Sequence, residues 1–209
     1  MCGLVGFIDN SKNLSFEKNS VYLKKMGESI NHRGPDYSGN YRKKNIFLWH
    51  NRLSIQDLSS KGNQPMFTED GNEILLFNGE IYNHYHLREI INNQFNYNWK
   101  SSSDTETLLM FIHYFGLKST LKNISGMFSI IYLNIKENKI NLVRDRFGEK
   151  PLYYSISHNL LFFSSELKAL KHHPDFRKDV NNQSLKNYFT YGYVSGPMSI
   201  YENTFKVEP

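Results

Sequence analysis

Small and apolar residues run through "GLVGFID" at 3–9, a pattern that predicts a strand at the very start of the chain. At 15–34, "SFEKNSVYLKKMGESINHRG", the spacing becomes helical. Ser15 is placed as an N-cap, Val21, Leu23, Met26 and Ile30 form the apolar face, and Gly34-Pro35 stops the helix. Strand patterning returns in "IFLWHNRLSI" (46–55) and "NEILLFNGEIYN" (72–83). "HLREIIN" and residues 103–116 read as helices. In the second, Ser103 or Asp104 is placed to cap, and Leu108, Leu109, Ile112 and Phe115 recur at helical spacing.

Four further strands follow, "GMFSIIYLNIK", "KINLVRDRF", "KPLYYSI" and "NLLFFSSE", joined by short polar turns that predict one antiparallel meander. A helix over "SELKALKHH" and a short helix running into a Pro- and Gly-bearing tail complete the chain. Strands and helices come in blocks rather than in strict alternation, which predicts an α+β layered fold and not a doubly wound parallel sheet.

Composition changes this picture little. At 209 residues, 39% hydrophobic and 22% charged, the chain is an ordinary globular one, with a high 15% of aromatics for large packed faces. The net charge of +5 comes from scattered bases and matches no nucleic-acid motif, so a solvated basic surface and no nucleic-acid partner are expected. No apolar run approaches a membrane span. One cysteine excludes an intrachain disulfide, and the first 30 residues carry Asp9, Glu17 and Glu28 without a signal-peptide core. A soluble, cytoplasmic protein is the expectation. No ligand spacing for a metal is visible around the eight histidines.

The lone cysteine stands at position 2. An inert thiol near a chain end and a small buried hydrophobe are two bland readings of it. The sharper reading starts from removal of Met1. Cys2 then carries a free α-amine whose ordinary pKa, near 7.7–8.0, leaves it partly neutral at physiological pH. Nucleophile and base belong to one residue, and a tethered base has a high effective concentration.

"MCGLVGF", "NHRGPDYSG", "HNRLSIQDLSSKGNQPM", "LLFNGEIYNH", "SDTE", "GMFSIIYL", "RDRFGEKPLYY" and "FFSSELKAL" occur in that order. Together they resemble the glutaminase domain of glutamine-hydrolysing asparagine synthetase, a class II glutamine amidotransferase, over nearly the whole chain. The resemblance implies a four-layer αββα sandwich of the N-terminal nucleophile (Ntn) hydrolase type. It implies Cys2 as nucleophile, and Asn78 and Gly79 as the oxyanion hole. Arg52 would hold the α-carboxylate of L-glutamine, and Leu53, Ser54, Ile55 and Gln56 the closing loop. Glu80 would line the pocket and Asp104 would grip the α-amine.

It also implies a domain over 2–191, with 192–209 beginning the connection to a synthetase domain, in cis or in trans, that activates aspartate with ATP and Mg²⁺. No cofactor is expected within the 209 residues, and a homodimer is left open. Read from the residues alone, Asn78-Gly79 is more often a hairpin turn, Asp104 a helix cap and Arg52 a surface base. Arg33, Asp36 and "RDRFGEKPLYY" are expected to be structural, with Arg144 pairing Asp145. Two other functions stay open. One is the glutaminase half of an amidotransferase acting on a sugar or another carboxylate. The other is a non-catalytic regulatory domain of the same fold.

Overall fold

The computed structural model describes residues 1–11 and 15–209. Strand β1 (Gly3–Asp9) is followed by helix α1 (Phe16–Ser29) and a 3-10 turn at Asn31–Arg33. Then come β2 (Tyr37–Lys43), β3 (Ile46–Arg52), β4 (Met66–Phe67), β5 (Glu73–Ile81), α2 (His84–Phe95), α3 (Asp104–Phe115) and α4 (Leu117–Asn123). The C-terminal half contains β6 (Gly126–Asn134), β7 (Lys139–Arg144), β8 (Tyr153–Ser157), β9 (Leu160–Ser164), α5 (Leu167–Leu170), α6 (Asn182–Tyr191) and β10 (Thr204–Lys206).

The strands form two antiparallel sheets, ordered β10-β8-β9-β1-β3-β2 and β4-β5-β6-β7. Period-two alternation makes both sheets apolar on both faces. Val5, Phe7, Phe47 and Phe162 face α1, where they pack with Leu23, Met26 and Ile30. Leu75, Phe77, Ile130 and Tyr132 face α2 and α3, where they meet Leu87, Leu108 and Phe111. Leu4, Leu48 and Phe163 of the first sheet meet Ile74, Leu76, Ile131 and Leu133 of the second, a core between the sheets. The layers are therefore α, β, β, α, with β1 inside its sheet, flanked by β3 and β9.

Several expectations need correction. The four C-terminal strands are not one meander: β6 and β7 extend the sheet of β5, while β8 and β9 join the sheet of β1. The crossing is built on Asp145. Its carboxylate accepts the backbone N–H groups of Phe128, Phe147, Glu149 and Lys150 at 3.0–3.2 Å. Burial alone would raise its pKa, but these donors hold it below the usual carboxylate value. Arg144 does not pair with it, and donates instead to the carbonyls of Lys150, Gly148 and Val207.

Ser15 caps α1, yet the helix ends at Ser29 and Val21 is exposed. The helix expected over "SELKALKHH" shrinks to Leu167–Leu170. Strand β2 had no signal in the sequence, because "YSGNYRK" is a mostly exposed edge.

Candidate active site

The site grows from the alternation of three strands. Leu4 points into the gap between the sheets, so Cys2, two residues earlier, lies on the same side. Leu48 points there too, which carries His50 and Arg52 with it. On the facing sheet, Ile74 and Leu76 set the parity for Asn78. At one end of the gap Cys2, Arg52 and Asn78 wall a common cavity, about 630 Å³ with its solvent-open mouth included. Leu53, Ile55, Gln56, Gly79, Glu80 and Asp104 line the same space. Of the residues expected at the site only Ser54 is off the wall; its N–H donates to Asp36 Oδ2 at 2.7 Å.

Asn78 and Gly79 are not a turn. They lie inside β5, which pairs with β6 in one unbroken register from Glu73↔Asn134 to Ile81↔Gly126. On its other edge β5 is paired only at Leu75 and Ile74, by β4. N–H groups two residues apart leave a strand on the same edge. That of Phe77 donates to Gln64 Oε1 at 2.6 Å, and that of Ile81 to Asp104 Oδ2 at 2.9 Å. The Gly79 N–H, between them, leaves on the same free edge, and among the described residues no acceptor meets it. Asn78 Nδ2 is buried without a partner. A side chain at residue 79 would drive a Cβ into Met127 O and Phe128. Leaving a buried donor unpaired costs about 1–3 kcal/mol. Two unpartnered donors, a buried one on Asn78 and a half-buried one at Gly79, stand side by side on the wall that Cys2 shares, an arrangement able to bind an anionic oxygen.

The thiol is half-buried. Leu53 N–H lies 3.4 Å from Sγ, and Leu53 O lies 3.8 Å from it. Burial raises its pKa, against the Leu53 N–H and the Arg52 charge. Arg33 Nε donates to Cys2 O at 3.0 Å and Arg33 Nη1 to Glu166 Oε1 at 3.0 Å. Arg33 is thus structural, and what it holds is the backbone of Cys2. With Met1 attached, the Cys2 nitrogen is an amide and cannot act as a base. The Met1 amine is depressed by burial, and by the Arg33 and Lys150 charges. The Met1 side chain lies on the cavity wall, and Lys150 Nζ approaches its Sδ at 3.3 Å.

Arg52 is buried rather than a surface base. Nη1 donates to Ser59 O at 2.7 Å and Asn63 Oδ1 at 2.8 Å; Nη2 donates to the carbonyls of Gln56 and Asp57. All four terminal N–H groups are committed to the loop 53–63. Gly62 is part of this arrangement, since a Cβ there would collide with the guanidinium.

Ser103, not Asp104, caps α3. Asp104 opens the helix, and burial raises its pKa to about 6, against the Ile81 N–H and with the nearby Glu80 charge adding to the rise. Glu80 Oε1 accepts from Gln56 Nε2 at 3.1 Å. Gln64, Gly62, Met127 and Lys150 also line the cavity without having been singled out. A polar residue ahead of proline in "NQPM" was the only hint of Gln64.

Among the described residues there is no cluster of three His, Cys, Asp or Glu side chains able to hold a metal ion, and no helix long and apolar enough to cross a membrane.

Two facing antiparallel sheets between helical layers, with a thiol just before the first strand, define the N-terminal nucleophile class. The chain belongs to the glutamine amidotransferase domain family, whose model matches residues 1–209. It is 32% identical to asparagine synthetase [glutamine-hydrolyzing] 1 of Bacillus subtilis over 100% of its own length. It is 38% identical over 87% of its length to number 2 of that organism. Over 81% of its length it is 34% identical to asparagine synthetase B [glutamine-hydrolyzing] of Escherichia coli. The chain spans 32%, 24% and 30% of the lengths of these relatives. Among solved structures, glutamine phosphoribosylpyrophosphate amidotransferase of B. subtilis shares the fold, with a TM-score of 0.67 at 19% identity over 81% of this chain and 43% of that one.

Proposed function

We propose that the chain hydrolyses L-glutamine to glutamate and ammonia through a thioester on Cys2. One observation carries this reading: the thiol shares a cavity wall with two adjacent, unpartnered hydrogen-bond donors. Once Met1 is removed, the thiol proton passes through a water to the α-amine of the same residue. The thiolate attacks the side-chain carbonyl carbon, and the new oxyanion takes hydrogen bonds from Asn78 Nδ2 and Gly79 N–H. The tetrahedral adduct collapses with cleavage of the C–N bond, and the ammonium returns its proton to the departing nitrogen. Water then adds to the thioester, passes through a second oxyanion and releases glutamate with the thiol restored.

Arg52 receives the α-carboxylate through Nε or by exchanging a loop carbonyl, so substrate binding and the order of loop 53–63 are coupled. Asp104 and Glu80 receive the α-ammonium. Purified protein is expected to release glutamate and ammonia in equal amounts from glutamine, in proportion to the fraction lacking Met1 by intact mass. Full-length turnover with Met1 retained would overturn the reading.

The ammonia is destined for a synthetase domain that amidates aspartate to asparagine with ATP and Mg²⁺, in the cytoplasm, as the resemblance and the relatives' names suggest. Residues 2–191 supply most of the glutaminase unit, and 192–209 lead toward that partner while β10 still pairs with β8 at the edge of the first sheet. Phe189 and Tyr191 at the end of α6 and Tyr193 just after it are exposed and suit a docked protein surface better than water. An acceptor assay with the complete system separates aspartate from a sugar or another carboxylate.

The pKa of Asp104 gives a pH signature with two opposite signs. A raised carboxyl pKa contributes stability that is present below the ordinary value near 4 and is lost as pH rises through about 6. Binding of an ammonium needs the ionised form. Below pH 6 this group is expected to add a further fall of about tenfold per pH unit in kcat/KM for glutamine to the fall already set by protonation of the Cys2 α-amine, while its own contribution to thermal stability grows. Asp104→Asn should remove that added steepness and leave the limb set by the α-amine, raise KM and leave the protein at least as stable at pH 7.

A further inference from the structure

The donor edge of β5 is held in place by two side chains the catalytic scheme does not use. His50 is fully buried on β3, facing the other sheet, and its Nε2 lies 3.2 Å from Phe77 O. A carbonyl only accepts, so Nε2 carries the hydrogen. Nδ1 is buried without a partner. Burial pulls the ring's pKa down to about 3, with Arg52 pushing the same way and the Phe77 bond opposing, so the ring is neutral. Gln64, also buried, accepts the Phe77 N–H at 2.6 Å through Oε1, and its Nε2 donates to Thr105 Oγ1 at 3.4 Å.

Both backbone groups of Phe77 leave β5 on the edge where β4 has already ended. A strand would ordinarily satisfy them. Here side chains do so, His50 meeting the carbonyl and Gln64 the N–H. The Phe77 carbonyl belongs to the peptide plane that carries Asn78, and the next N–H on this edge is that of Gly79. We infer that His50 and Gln64 are positioning residues for the oxyanion hole, fixing the Phe77 backbone so that Asn78 Nδ2 and Gly79 N–H converge on one oxygen. The inference rests on the glutaminase reading above. A misplacement of about 1 Å in such a site can cost about 10²-fold in rate.

The test uses the full chain with Met1 removal verified by mass, and the variants His50→Leu, His50→Gln and Gln64→Met. Three quantities are read: kcat and KM for glutamine, the inhibition constant of the γ-aldehyde of glutamate, and the melting temperature. The aldehyde adds a thiol to form a tetrahedral hemithioacetal, so its affinity reports on the hole. His50→Leu and Gln64→Met are expected to lower kcat at least about tenfold. They should weaken the aldehyde in the same proportion and leave KM within about threefold, because the contacts that grip the amino-acid end are untouched. In His50→Gln the amide nitrogen can reach the position of the ring Nε2, and kcat should recover to within about threefold of wild type.

Variants that melt earlier but keep kcat and aldehyde affinity would overturn the inference, as would a loss confined to KM. Should His50→Leu fail to fold, Gln64→Met and the rescue by His50→Gln decide. A wild-type chain that neither hydrolyses glutamine nor binds the aldehyde defeats the glutaminase reading itself, whereas an active wild type with unaffected variants defeats only the positioning role.

Discussion

Cys2→Ala is expected to reduce glutamate release from glutamine to the buffer background, a loss on the order of 10⁴–10⁶-fold, as when a covalent nucleophile is deleted elsewhere. The chain contains one cysteine, so no second thiol can take over. The effect should be confined to chemistry. Cys2 precedes β1, and the contacts that seat β1 between β3 and β9 begin at Gly3 and Val5, so the melting temperature should hardly move. Glutamine binding, followed by calorimetry, should persist because Arg52, Asp104 and Glu80 remain on the cavity wall. A chain that keeps Met1 should behave like Cys2→Ala although its thiol is intact, since its Cys2 nitrogen is an amide and Met1 stands on the cavity wall. The pair of results separates the need for sulfur from the need for a free amine. Hydrolysis that survives Cys2→Ala would remove the thioester from the mechanism.

The same period-two argument explains why part of this site could be read from the sequence. "GLVGFID", "IFLWHNRLSI" and "NEILLFNGEIYN" announce β1, β3 and β5, and their parity sends Cys2, Arg52 and Asn78 into one gap once the two sheets are known to face each other. The pairing of strands into sheets was not legible. Hydrophobic alternation in β6 through β9 is the same whether the strands share a sheet or divide between two, and the division depends on the buried Asp145 gathering four N–H groups from two segments.

Local turn chemistry also misled. Asn-Gly is a strong hairpin signal, yet β5 runs straight through it, because the apolar residues on either side bury against both neighbouring layers. The roles of His50 and the Arg52 terminal nitrogens left no sequence signal, and that of Gln64 only its place ahead of a proline. Most of their partners are backbone atoms, which every residue type supplies alike.

Asn78→Ala sets the second large effect. Its Nδ2 is one of only two donors offered to the oxyanion, and removal of one such donor typically costs about 10²–10³-fold in kcat, or roughly 2.7–4 kcal/mol of transition-state stabilisation. KM should change little, because in the proposed scheme Arg52, Asp104 and Glu80, not Asn78, grip the carboxylate and ammonium of glutamine. Stability should respond with the opposite sign to an ordinary buried truncation. In the free protein the Asn78 amide nitrogen is buried without a partner, a condition that costs about 1–3 kcal/mol. Alanine relieves that cost and leaves only a small void beside the cavity. A protein that melts at or above the wild-type temperature and turns over 10²-fold more slowly would show that the fold carries Asn78 for the transition state and not for packing. Wild-type turnover by Asn78→Ala would leave Gly79 as the sole donor. The buried, unsatisfied amide would then have no function to offset its cost.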